Sequence, residues 1–209
     1  MGDPRVKIFL KLFFDCVFLF AVLSVYFIEV FEYKDDYYVG IVRMLKETTY
    51  RINATESTPL TQITVATYSE FDDHFCDSPV GDLKDVCDKR KGFEEAGIVF
   101  LVFGCLSQAL VVYGIFGLIG MACGCTCCGF LRMTLVHYIF PAVYGIGILC
   151  FVVISKVFEL DDMAVQPGII VMFGAEVLGF GSMVYFLCYR KEMKTLVFAV
   201  TEDYEQIKK

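Results

Sequence analysis

Four long apolar runs, residues 8–30, 96–121, 131–155 and 167–189, divide the chain, with polar stretches between them. Each has about the 20 residues that a helix rising ~1.5 Å per residue needs to cross ~30 Å of hydrocarbon. Membrane strands would be only ~9–11 residues long and would alternate in and out, which these runs do not. The pattern therefore predicts an all-α membrane protein, a four-transmembrane-helix bundle. Around the spans it leaves a first loop at 31–95, a short connection at 122–130, a second loop at 156–166 and a tail at 190–209.

The texture of the first loop is strand-like. Residues 37–42 are rich in Tyr and Val, and residues 61–71 (TQITVATYSEF) alternate, with Ile63, Val65 and Thr67 on one face and Thr64, Ala66 and Tyr68 on the other. Pro59 and the polar cluster at 53–57 separate the two segments. A small antiparallel sheet is the expectation, and one or two strands alone would be marginal in stability. Cys76 and Cys87 lie in this polar, acidic loop, which has no other cysteine. They read as a disulfide, with two unpaired thiols as the alternative. Closing the segment between them stabilises by roughly 2–3 kcal/mol through the unfolded chain, and Ser78-Pro79-Val80-Gly81 supplies a turn. Residues 85–96 have the charge pattern of a short helix leading into the second span.

Composition agrees with the membrane reading. The chain is 57% hydrophobic, against about 45–50% for soluble domains. Of its 25 acidic residues, 15 fall between Glu29 and Glu95, so the first loop presents an acidic, solvated surface that a cationic partner could also meet. No basic cluster fits nucleic acid. Basic residues near the first tail, the 122–130 connection and the last tail, once the long loop is discounted, place both termini inside the cell. Two further signals point the same way. Asn53-Ala54-Thr55 is a glycosylation sequon, and a paired-cysteine loop belongs in an oxidising compartment. A cleaved signal peptide ending near Val22-Leu23-Ser24 is the alternative for the first run, but Lys11 and Asp15 interrupt its apolar core.

Candidate chemistry is sparse. Cys123, Cys125, Cys127 and Cys128 crowd six residues beside the second span. Acylation of juxtamembrane cysteines is the preferred reading. A zinc site would be strained with all four thiolates so close in sequence, and small residues in a tight turn remain as the plain alternative. Cys125 and Cys128 have C-x-x-C spacing, which leaves a thiol-redox enzyme as a minor alternative. Within the spans, Asp15, His137, Gln108 and Glu176 are polar, and such groups are costly in hydrocarbon unless paired. Counting ~1.5 Å per residue places Asp15 and His137 about 10 and 8–9 Å from the inner face, and Gln108 and Glu176 about 18 and 14 Å from the outer. The expected pairs are thus Asp15 with His137 and Gln108 with Glu176. Helix-to-helix bonding is favoured over an ion path, since no polar stripe runs through two spans. Pro141 is expected to kink the third span.

Four spans, inside termini, a long first outer loop with strands and the Cys76–Cys87 pair, the Asn53 sequon, and a charged 85–95 lead into the second span together resemble the claudin superfamily. That group includes the claudins, the peripheral myelin protein family and the calcium-channel gamma subunits. The resemblance departs at two places. The family's Gly-Leu-Trp before the first loop cysteine is absent, as the chain has no Trp, and the tail ends Gln206-Ile207-Lys208-Lys209 rather than in the Tyr-Val of many claudins. The resemblance implies a non-enzymatic plasma-membrane protein with no cofactor or metal. It would act by lateral or extracellular contacts with membrane lipids and other membrane proteins, either as an auxiliary subunit of a channel or receptor or at cell contacts. A pore or transporter in its own right is the alternative.

Overall fold

The computed structural model describes residues 4–33, 37–50, 60–77, 79, 82–122, 130–156 and 163–207. In chain order the elements are α1 (Pro4–Val25), β1 (Glu29–Tyr33), β2 (Tyr37–Gly40), β3 (Arg43–Tyr50) and β4 (Leu60–Thr67). They continue with α2 (Tyr68–Phe75), α3 (Asp82–Ala122), α4 (Phe130–Ser155), β5 (Met163–Val165) and α5 (Pro167–Ile207). Four of the helices contain stretches long and apolar enough to cross a membrane: Arg5–Val25, Lys84–Gly120, Thr134–Ser155 and Pro167–Met193.

The surface of the long helices differs from that of a water-soluble protein. Phe9, Phe20, Phe116, Val153, Ile170 and Val177 are each about 70% exposed, while Lys11, Asp15, Ser107, His137 and Ser182 are fully buried. Exposed apolar side chains on all four long helices, with polar ones inside, fit a solvent of lipid. The chain is a multi-pass membrane protein.

The chain forms two compact units. One comprises Met1–Val22, Phe103–Ile146 and Phe173–Lys209. In it, segments of α1, α3, α4 and α5 pack as a helical bundle. Phe18 of α1 meets the rings of Phe140 and Tyr144 on α4 edge-on, at 5.1 and 5.5 Å, an arrangement that suits the ring quadrupoles. Ile8, Leu118, Phe186 and Met193 form a second apolar cluster. Ser107 on α3 donates to the Phe140 carbonyl at 2.8 Å, beside Pro141, through which α4 continues as one element.

The other unit comprises Leu23–Val102 and Gly147–Met172. Its centre is a five-stranded antiparallel sheet in the order β4-β3-β2-β1-β5, so strands from both inter-helix loops meet in it. β1 is an interior strand, pairing with β2 (Phe31 opposite Val39) and with β5 (Phe31 opposite Val165). Its register shifts between Glu29 and Phe31; Val30, at the bulge, is fully buried and accepts the Gln166 amide at 3.1 Å. Phe31 stacks on Phe151 at 6.2 Å, and Phe100 packs edge-on against Phe151 at 5.9 Å. Gly97 of α3 admits the Ile41 carbonyl where any Cβ would collide, so α3 and the β2–β3 turn touch through backbone.

Two expected boundaries move. The first apolar run does not stay helical to residue 30. α1 stops at Val25 through two i→i−3 bonds, Tyr26 to Leu23 and Phe27 to Ser24, and the next apolar residues are taken by β1, where pairing on both edges satisfies their backbone. The alternating segment at 61–71 ends as a strand at Thr67. There the Thr67 hydroxyl accepts from the Glu70 amide at 3.3 Å and the Glu70 carboxylate accepts from the Thr67 amide at 2.9 Å, a reciprocal cap that starts α2 instead.

The disulfide joins Cys76 to Cys87. It does not lie within the sheet: Cys76 is the C-cap of α2 and Cys87 lies in the second turn of α3. It pins the corner between two helices, and α2 in turn carries Phe71 against Tyr37 of β2 at 6.2 Å. Cys76→Ala is expected to lower unfolding free energy by roughly 2–3 kcal/mol while leaving the spans inserted. Detergent unfolding curves with and without reductant check this, because reductant should shift the wild-type protein and leave the variant unmoved.

Candidate functional site

Among the described residues the bundle unit holds a fully buried polar cluster. Asp15 on α1 is reached by Lys11 one helical turn earlier, an i,i+4 ion pair in which both side chains are fully buried. Lys11 Nζ also donates to Ser182 Oγ on α5 at 2.7 Å, and that hydroxyl donates to Asp15 Oδ1 at 2.6 Å. The three groups close a ring of hydrogen bonds linking α1 to α5. The ammonium lies 5.7 Å from the Phe140 ring centre and 6.0 Å from that of Phe186, positions where the ring faces attract a cation. At the bundle's edge Lys7 pairs with Glu192 and lies 4.6 Å from the Tyr189 ring centre, a second link between the same helices.

Neither expected pair forms. Both ring nitrogens of His137 lack a hydrogen-bond partner among the described residues; its ring packs on Phe186 at 4.3 Å instead. Lys11 wins Asp15 because it stands on the same face of the same helix, and a cation bonds a carboxylate more strongly than a neutral imidazole does. Gln108 Nε2 and Glu176 Oε2 also lack partners among the described residues. The Glu176 carboxyl turns toward α4 at Gly145, its Oε1 2.6 Å from where a Cβ would stand. That glycine makes room for the carboxyl without giving it a donor.

The sheet unit has its own polar framework. Arg90 on α3 donates to the Tyr68 carbonyl at 2.9 Å and pairs with Asp72 at 3.0 Å and Glu94 at 3.5 Å. One guanidinium thus holds both ends of α2's first turns to α3. Arg43 donates to the Phe27 carbonyl at 2.5 Å and pairs with Glu29 at 3.2 Å, fixing the entry to β1. Gln166 donates to Glu32 at 2.5 Å, joining the two loops. Tyr68, buried, donates to the Gly40 carbonyl at 2.7 Å. Burial, with the charge of Glu94 added, pushes its phenol above the ordinary range, so it stays a donor at all physiological pH.

Of the residues singled out from sequence, Cys76 and Cys87 are bonded to each other, while Asp15, His137, Gln108 and Glu176 lie within the long helices. Asn53 and the cysteines at 123, 125, 127 and 128 lie outside the described residues. No group of three or more metal-ligating side chains converges among the described residues. Sequence reasoning missed Lys11 as an intramembrane partner. The signal was present, a basic residue four positions before an acidic one inside an apolar run, but Lys11 also counts among tail charges. Arg90 was hidden in a lead segment crowded with both signs of charge.

No protein-family model, curated protein or solved structure matches the chain.

Removing one member of a buried ion pair strands the other, at a cost of about 3–5 kcal/mol, whereas replacing both with apolar groups is often neutral. Lys11→Met and Asp15→Leu are each expected to destabilise the protein strongly, and the double variant to recover most of the loss. A double-mutant cycle on unfolding in mixed micelles measures this; additive losses in the double variant would show that the two side chains do not interact.

Proposed function

We propose that the chain is a non-enzymatic, claudin-like four-span protein of the plasma membrane that acts through contacts with other membrane proteins. Both termini would lie in the cytoplasm and the sheet outside, glycosylated at Asn53, with the cysteines at 123–128 acylated. Its partners would be channel or receptor subunits in the same membrane or like proteins on a neighbouring cell. One observation carries the reading: strands from the loop between the first two spans and from the loop between the last two meet in a single sheet, braced by Arg43 and Gln166, with Arg90 holding α2 to α3 beside it. A rigid, surface-presented platform of this kind suits recognition, since pre-organised contacts lose little entropy on binding.

The polar groups inside the bundle support the same choice. Lys11, Asp15 and Ser182 bond to each other, as helix-joining groups do. The rival is a pore or transporter in its own right, and the buried His137 and half-buried Glu176, with unmatched polar atoms among the described residues, are the groups it would use.

Purification in mild detergent separates the two readings. The contact-protein reading predicts a reproducible co-purifying membrane protein, lost with Cys76→Ser, and no conductance from the purified chain in planar bilayers. A pure homo-oligomer that conducts ions, with conductance abolished by Glu176→Leu, would establish the rival.

A further inference from the structure

The β2–β3 turn, the start of α2 and one face of α3 enclose an open groove of about 210 Å³. Its geometry is set by backbone. The Ile41 carbonyl seats on Gly97, and Tyr68 ties α2 to the same turn through Gly40. One wall is apolar and accessible, with Ile98 at 55% exposure, Val42 at 36% and Leu101 half-buried. The rim is polar, formed by the exposed Thr67 and Ser69 and the half-buried Glu94.

The groove lies where α3 changes character. Glu94 and Glu95 are its last charged residues, and from Ala96 to Ala122 only Ser107 and Gln108 interrupt the apolar side chains. On a helix that crosses the bilayer, that change marks the boundary between water and hydrocarbon. The rim therefore stands at headgroup depth, and the wall at Ile98 and Leu101 stands at the top of the acyl region.

We propose that this groove binds a sterol-class lipid, its hydroxyl between Glu94 and Ser69 and its ring body along Ile98 and Leu101. The proposal rests on the chain being membrane-embedded and not on the family resemblance. Three features select the ligand. Sites that enclose a whole small molecule run to about 300–1,000 Å³, so this groove takes one end and one face of a lipid while the rest lies on the exposed flank of α3. A phosphate-bearing head would meet the Glu94 carboxylate, the charged residue of the lining, and Arg90, the cation paired with Glu94, is already engaged by the Tyr68 carbonyl and Asp72 as well. A neutral hydroxyl can donate to Glu94 and accept from Ser69, the Thr67 hydroxyl being already given to the Glu70 carboxylate at 2.9 Å. Lastly, a fused ring system has few rotors to immobilise against a fixed wall, so its docking loses less entropy than that of a flexible acyl chain.

The test uses the full-length protein in phosphatidylcholine vesicles holding a photoactivatable, clickable sterol. Labelled peptides should map to residues 94–101 and 67–69, and excess unlabelled sterol should suppress the label more than its 3-epimer does. Ile98→Trp and Val42→Trp, which fill the groove from α3 and from the β2–β3 turn, should each reduce labelling about tenfold, the equivalent of roughly 1.4 kcal/mol of binding. Phe116→Trp, on the exposed face of α3 but away from the groove, should leave it unchanged. The proposal is overturned if label spreads evenly along α3, or if both folded groove variants label like wild type. It is also overturned if a phospholipid photoprobe competes equally, or if a co-purifying protein segment crosslinks to the groove in place of sterol.

Discussion

A lysine and an aspartate buried together on one helix constrain the bundle more than any other contact. Lys11 and Asp15 are both wholly shielded, and in hydrocarbon neither can be left alone, because an unpaired charge there costs several kcal/mol. They stand four residues apart, so α1 must be helical for them to meet. Ser182 completes the ring, so α5 must present that face to α1. Phe140 and Phe186 flank the ammonium, which draws α4 into the same arrangement. Apolar packing between helices has little driving force in lipid. A directional polar cluster supplies what the hydrophobic effect cannot, a reason for one arrangement of helices over others.

In the sheet unit the constraint has a different form. Backbone pairing across five strands, the reciprocal Thr67–Glu70 cap, the Arg90 clamp and the Cys76–Cys87 bond each limit a separate hinge. At α3, Gly97 lets strand-turn backbone touch helix backbone. At about 1.5 Å per residue the 41 residues of α3 reach roughly twice the ~30 Å of a hydrocarbon core, so this one helix serves both as a span and as a strut of the sheet unit.

Much of this was legible in the sequence. Run length alone marks the four long helices, and the lone cysteine pair in a polar loop marks the disulfide. What failed did so for identifiable reasons. Ile28, Val30 and Phe31 suit a helix in lipid or an interior strand equally, and only pairing with β2 and β5, the latter more than 130 residues away, decides between them. The Thr67-x-x-Glu70 cap signature lies within an alternating segment, and the cap overrode the alternation at Tyr68. Depth arithmetic matched Asp15 to His137 and Gln108 to Glu176 by level across the bilayer, but level says nothing of which face of a helix a residue occupies. A partner on the same helix, such as Lys11, always lies within reach, whatever the neighbours do. His137 and Glu176 keep unmatched polar atoms among the described residues, and they are the places where the bundle is least determined by the interactions that hold it.

The central claim is that Lys11, and not His137, is the partner of Asp15 inside the membrane. Solid-state NMR on the isotopically labelled protein in lipid bilayers tests it directly, by recoupling the Lys11 Nζ nitrogen with the Asp15 Cγ carbon. A strong through-space transfer between these two nuclei, with none from the His137 ring nitrogens to Asp15, is the predicted result. Transfer from His137 to Asp15, with Lys11 giving the signal of a solvated amine, would contradict the account.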